Sequence, residues 1–434
     1  MWIGPRLLAG GLVLAFVTAG IGVQGTGQAG HGASIDPSTW APTRAGVFFF
    51  DRSNVGSGSS ADFSRRESEF GRKFDGHLYY LPADVTRSDL ADAHWSLAVD
   101  RVPFVILSWS TGNNPNTIIP QIAAGKYDSR IGGFAKAVKA ELSPYGHILI
   151  RPFWEFNFTG SEWNDVHYGG NSHEFIAAWR RFVNIFRSYN VSNVKWLWNP
   201  IRVGGNQAQD PVPYYPGSSY VDWIGVDAYP KNKWLTLQQL ATTSGGASSF
   251  DWYDTFKSYG KPLMFGEVGI LPANMYGGGA PTRATWWADA LSELRTRLPA
   301  VRAIEYFDSS TGHNWTFNAP GTVSGDSGAN ALAAARDFAS SCFANVLSST
   351  CAIKHRQHHQ HRTHRKHHSP SPTASPSPSL SPTASHSQLP LSSSPTRRSP
   401  LPAVLIVLAV VLLVVGSALV YLRSSRRRHI PKDL

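Results

Sequence analysis

The chain has 434 residues, 42% of them hydrophobic and 16% charged, with a formal charge of +11 and two cysteines. That length and apolar content are enough for a large buried core. From Lys354 onward twelve Lys and Arg face a single Asp, while the first 353 residues balance at 28 basic and 28 acidic, so the excess belongs to a tail and excludes a nucleic-acid-binding domain as its meaning.

The chain starts with one early cation, Arg6, an apolar stretch over 7–23 and small residues around Ala29, the layout of a secretory signal peptide over residues 1–30. Between residues 37 and 353, β-rich apolar runs alternate with helical patterns, as in a parallel sheet covered by helices. The strand candidates are residues 46–50, 78–80, 102–109, 147–151, 194–198, 223–228, 262–267 and 303–307. Eight of them fit an α/β fold of the (β/α)8 TIM-barrel type. Helical patterns fall near 62–74, 90–99, 131–141, 250–258, 285–298 and 329–340. The clearest follows the fourth strand, where Phe175, Ala178, Trp179, Phe182, Ile185 and Phe186 recur at three- and four-residue steps as one apolar stripe.

Cys342 and Cys351 stand nine positions apart after the last helix, and in an exported chain they are expected to pair and pin the end of the domain. Residues 354–400 pass from a His/Arg/Lys-rich stretch to Ser-Pro repeats with interspersed Thr, too polar and proline-rich for a core, and are expected to form a disordered stalk. Nine of the sixteen His lie in or after that stretch without a spacing that defines coordination geometry, so no metal site is expected there. Residues 403–422 contain no charge; at about 1.5 Å per residue they reach roughly 30 Å, one bilayer core. Arg423, Arg426, Arg427 and Arg428 follow, which keeps residues 423–434 in the cytoplasm and the barrel outside. The expected location is the cell surface, as a single-pass membrane protein.

Glu155 and Glu267 end the fourth and seventh strand candidates, where a βα barrel carries its chemistry. Cleaving a glycosidic bond with retention needs two such carboxyl groups, a proton donor and a nucleophile. Trp154, Phe156 and Trp163 offer Glu155 an apolar surround that raises its pKa. Gly266 and Gly269 leave room beside Glu267. Tyr229, one strand earlier, is placed to orient Glu267, and Asp227 competes as the second acid. A purely structural reading pairs Glu155 with Arg151. Trp109, Trp163, Trp198 and Trp315 at strand ends and in rim loops are candidates for stacking on sugar rings, with Arg151 and Asn157 as further substrate contacts. Neither a phosphate-cradling loop nor a Gly-x-Ser-x-Gly elbow occurs, so no cofactor is implied.

Four blocks resemble the family-26 glycoside hydrolases: Gly125-Lys126-Tyr127-Asp128; Arg151 to Asn157 in Arg-Pro-Phe-Trp-Glu-Phe-Asn; Val221 to Tyr229; and Phe265-Gly266-Glu267-Val268-Gly269. Asn193 to Trp198 adds to them. The resemblance covers roughly residues 45–340 and implies a retaining (β/α)8 endo-β-glycosidase, with Glu155 as acid/base, Glu267 as nucleophile and Tyr229 orienting it. One position departs: that family usually has His before the acid/base Glu, where this chain has Trp154. The expected substrate is a β-linked polysaccharide, β-1,4-mannan first. The alternatives are another β-glycan or a non-catalytic glycan-binding barrel.

Overall fold

The computed structural model describes residues 35–52, 60–110, 118–158, 172–203, 208–242, 250–277 and 279–351. The expectations for the signal peptide, stalk, membrane span and cytoplasmic tail, and that for Trp163, lie outside the described residues. Among the described residues no helix is long and apolar enough to cross a membrane.

Eight parallel strands close into a barrel in chain order: β1 (Phe48–Asp51), β2 (Gly76–Leu81), β3 (Phe104–Trp109), β4 (His147–Pro152), β5 (Val194–Trp198), β6 (Trp223–Ala228), β7 (Leu263–Val268) and β8 (Val301–Tyr306). Closure is made by β1 pairing with β8, Phe48 opposite Ala303 through Asp51 opposite Tyr306. All eight expected strands are present, and the shortest expectation, at 78–80, is a six-residue strand.

Alternation along each strand divides the apolar residues into two layers. Phe48, Phe50, Leu78, Phe104, Ile106, Leu149, Leu197, Trp223, Met264 and Ala303 cluster inside the barrel. Their sequence neighbours, among them Phe49, Val105, Ile148, Ile224 and Ile304, join the larger layer beneath the helices. Each such side chain taken fully from water stabilises the fold by about 1.5–3 kcal/mol.

The helices are α1 (Ser60–Phe70), α2 (Ala91–Trp95), α3 (Ile118–Ala123), α4 (Asp128–Glu141), α5 (Ser172–Ser188), α6 (Leu237–Thr242), α7 (Trp252–Phe256), α8 (Arg283–Thr296) and α9 (Gly328–Ser340). The stripe on α5 buries Phe175, Ala178, Trp179, Phe182 and Phe186 as its period requires, while Ile185 is only partly buried. The short α3 and α6 escaped the sequence reading because six residues hold too few turns to show a period. Between β5 and β6 the described residues carry two 3-10 turns, Val212–Tyr214 and Ser218–Tyr220, and no α-helix; Pro211, Pro213 and Pro216 remove the backbone donors a longer helix needs.

The barrel floor is closed from both ends of the domain. The indole N–H of Trp223 donates to the Thr39 carbonyl at 2.8 Å, and Trp40 packs on His147 at 4.4 Å between ring centroids. Val47 N–H donates to the Phe343 carbonyl at 2.9 Å, and Val346 enters the inner cluster. A disulfide joins Cys342 and Cys351 there, with 5.2 Å between their Cα atoms.

Two inward-facing glycines shape the opposite, C-terminal end. A Cβ at Gly225 would lie 2.0 Å from Asn199 Oδ1, and one at Gly266 would lie 1.8 Å from it, so the buried Asn199 side chain occupies space that only glycine leaves open. Gly266→Ala is therefore expected to lower the unfolding free energy by about 1–3 kcal/mol through overpacking. Gly133→Ala, inside α4 with nothing within 4 Å of the added carbon, is expected to raise it by about 0.5–1 kcal/mol through helix propensity. Urea unfolding of the two variants checks both, and equal signs would contradict the packing account.

Candidate active site

Glu155 stands just beyond β4 on a turn that breaks the regular backbone. Phe153 and Glu155 both take left-handed conformations, with φ of 58° and 55°, each costing about 1–3 kcal/mol unless the surroundings impose it. They do. Phe153 is packed among the rings of Trp109, Phe175, Trp179 and Phe182, and Phe156 lies against Phe175, Trp198 and Tyr214. Glu155 N–H donates to the Asn199 carbonyl at 2.8 Å. The Asn157 amide donates to the carbonyls of Ile201 and Gln209 at 3.0 and 2.8 Å, and its oxygen accepts from Ile201 N–H at 2.8 Å. With residues 153, 156 and 157 tied inward, Trp154 and Glu155 are left partly exposed.

Glu267 reaches the mouth by a different device. Met264 points into the barrel and Phe265 outward, so strict alternation sends Gly266 in and Glu267 out. The strand instead carries an extra residue: Val226 pairs with Phe265 but Asp227 with Glu267, and on the other side Phe265 pairs with Ile304 but Val268 with Tyr306. This bulge at residues 266–267 turns the Glu267 carboxyl inward. There its Oε1 accepts from the Tyr80 hydroxyl and from Arg151 Nη2, and its Oε2 from the Tyr229 hydroxyl at 2.7 Å.

Arg151 is the centre of the arrangement. Fully buried, it donates through Nη1 to both Asp227 oxygens at 3.3 and 3.2 Å, through Nε to Ser108 Oγ at 2.6 Å, and through Nη2 to Glu267. Burial by itself would weaken its charge, but Glu267 and Asp227 outweigh that and hold it firmly protonated. One oxygen from each of Glu155, Asp227 and Glu267 lies within 4.8 Å of the others. Glu305, inside β8, is fully buried with neither carboxyl oxygen hydrogen-bonded. A single guanidinium cannot neutralise four carboxylates, so protons remain on some of them. Burial, and next to it the charge of Glu267, pushes Glu155 up to about 7, against a smaller pull from Arg151 and Lys231. The same two causes in the same order hold Asp227 and Glu305 well above the usual carboxylate range. Burial and the neighbouring Glu267 also keep the hydroxyls of Tyr80 and Tyr229 protonated as donors.

The mouth thus joins a partly exposed carboxyl that carries its proton near neutrality to a carboxylate fixed by three donors. That combination suits proton transfer beside nucleophilic attack. The three acidic oxygens resemble a cation cage, but the Arg151 guanidinium already bonds to two of those residues. A second acidic group, Glu67, His77 and Asp100 beside α1, is likewise bonded by the Lys73 ammonium, 2.8 Å from Glu67.

Several expected sugar contacts need correction. Trp109 and Trp198 are wholly buried, Trp109 donating its indole N–H to the Ala83 carbonyl at 3.1 Å and Trp198 wedged against Phe156, Tyr215 and Phe256. Trp315, 3% exposed, backs Tyr229 at 4.8 Å. Arg151 and Asn157 are also fully buried and serve the site by holding Glu267 and the β4 turn. Strand-end aromatics turn outward as readily as inward, and the outward half is covered by helices. Conversely, Tyr80 and Glu305 were not singled out from sequence. The signal for both was alternation: Tyr80 follows inward Leu78 by two positions, and Glu305 follows inward Ala303.

The model of glycosyl hydrolase family 26 matches residues 120–245, a span that contains Glu155 and Tyr229. Endoglucanase H of Acetivibrio thermocellus is 31% identical over 212 residues, covering 47% of this chain and 21% of that protein. A mannan endo-1,4-β-mannosidase of Bacillus subtilis is 26% identical over 132 residues, covering 29% and 32%. The chain therefore spans between a fifth and a third of the length of these curated relatives. The solved catalytic domain of a family-26 endo-β-1,4-mannanase from Bacillus sp. JAMB-750 aligns over 69% of this chain and 86% of that one, at 15% identity and a TM-score of 0.50, a likeness of fold. By its matched segment and its motifs, the chain is similar to glycosyl hydrolase family 26.

Proposed function

We propose that the barrel is a retaining endo-β-glycosidase acting on a β-linked polysaccharide, with Glu155 as acid/base and Glu267 as nucleophile. The observation that carries this reading is the approach of the Glu155 and Glu267 oxygens to within 4.8 Å. Retaining enzymes hold their carboxyl groups about 5–5.5 Å apart, whereas inverting ones need about 6.5–9.5 Å to admit a water. In the first step Glu155 protonates the leaving glycosidic oxygen while Glu267 attacks the anomeric carbon. In the second, Glu155, now a base, activates the water that releases the sugar. Tyr229, Tyr80 and Arg151 keep Glu267 in line for attack. β-1,4-mannan is the leading substrate, supported by the mannosidase relative; the endoglucanase relative supports β-glucan as the alternative. We also propose that the chain is exported and held at the cell surface, on the strength of the sequence of residues 1–30 and 403–422. Protease treatment of intact cells should then remove the barrel, and its full protection would place it inside.

Two outcomes test the chemistry. Glu155→Gln and Glu267→Gln are each expected to cut kcat on a mannan and glucan panel by about 10²-fold or more, with the first product released by the wild type retaining its anomeric configuration by NMR. An inverted product contradicts the two-step mechanism. Because Glu155 titrates at about 7 and must be protonated to act as an acid, kcat/KM should fall as pH rises through that value.

The same raised pKa makes a stability statement. Between the unfolded value of about 4.3 and the folded one, the unfolded chain loses its proton while the folded chain keeps it, so stability drops with rising pH. Glu155→Gln should melt higher than wild type at about pH 8 and match it at about pH 4; no pH dependence in that difference would contradict the shift.

A further inference from the structure

Trp154 is the one indole that the β4 turn leaves open. Whereas Trp109, Trp198 and Trp315 turn into the core, Trp154 stays partly exposed next to Glu155. Its backbone is clamped between the two left-handed residues Phe153 and Glu155, so it has little freedom to swing away. Its ring lies 5.5 Å from that of Tyr80, whose hydroxyl donates to Glu267, and 5.8 Å from the Arg151 guanidinium. It therefore lies beside the two side chains, Tyr80 and Arg151, that both donate to Glu267.

We propose that Trp154 is the sugar-stacking residue of this mouth, presenting its indole to the C–H face of the pyranose ring seated between Glu155 and Glu267. The identity of the ligand as a β-linked sugar rests on the glycosidase reading above; the stacking role rests on the exposure and clamping of Trp154. An indole has one N–H donor and no acceptor, so it recognises an apolar face instead of a pattern of hydroxyls. A β-linked gluco- or mannopyranose carries the axial hydrogens of C1, C3 and C5 on one face and so supplies such a surface. Tyr80 supports the ring from behind while its hydroxyl fixes the nucleophile, which couples sugar position to attack geometry.

In the full-length protein, Trp154→Ala should raise KM for a β-linked oligosaccharide about tenfold, the scale of one ring contact, a larger change than any in kcat. Trp154→Phe should recover most of the affinity, since it restores an aromatic face. Binding is read apart from hydrolysis on the Glu267→Gln background, by calorimetric titration with the same oligosaccharide. An unchanged KM and unchanged affinity in Trp154→Ala overturn the proposal. So does a fall in kcat with a displaced pH limb at constant KM, which would make Trp154 a support for Glu155 only. Failure of the wild-type protein to cleave any glycan would remove the glycosidase reading instead, and the binding titration would still decide the stacking.

Discussion

A single buried guanidinium holds the mouth of this barrel together. Arg151 sits wholly out of water, where an isolated charge is untenable, and is tolerable only because Asp227 and Glu267 face it from β6 and β7 and Ser108 accepts from its Nε–H. The dependence is mutual. Without Arg151 the acidic oxygens of Asp227 and Glu267, gathered with that of Glu155 within 4.8 Å, would repel one another. With it, one carboxylate can stay charged while its neighbours keep protons. The division of labour between Glu155 and Glu267 thus follows from charge balance around one cation, and two residues of the same type take different roles because their surroundings differ.

The geometry that exploits this balance comes from two departures from regular backbone. At the end of β4, left-handed Phe153 and Glu155 lift the acid candidate to the rim; at the end of β7, a bulge turns Glu267 inward. Each irregularity is imposed by its surroundings. The aromatic packing of Phe153 and Phe156, with the three hydrogen bonds of the Asn157 side chain, forces the first. The second is supported by the glycine at 266, whose missing side chain admits Asn199. Rigidity of this kind lets short polar distances persist in a site that must also admit a polymer.

The tryptophan content illustrates how one residue type serves opposite ends. Most indoles here fill the shell between strands and helices, where their area matters most, and several anchor a backbone carbonyl through the indole N–H, as Trp179, Trp252 and Trp286 do. Trp154 differs from them by its place on an irregular turn, where it stays partly exposed beside Glu155.

Much of the fold was legible in the order of residues. The β-rich apolar runs, the period near 3.6 on α5 and the eightfold alternation of strand with helix are local signals, and local signals specify a parallel barrel whose chemistry belongs at the strand ends. Glu155, Glu267 and Tyr229 were singled out that way, because the end of a strand run is visible in one dimension. The direction of a side chain at that residue is not. A one-residue bulge or a left-handed turn reverses it, and both depend on what packs against the strand from elsewhere in the chain. For that reason the burial of Trp109, Trp198, Trp315 and Asn157, the bridging role of Arg151, and the recruitment of Tyr80 and Glu305 were decided only when eight strands closed into a ring and brought residues as far apart as Tyr80 and Glu267 within hydrogen-bonding reach.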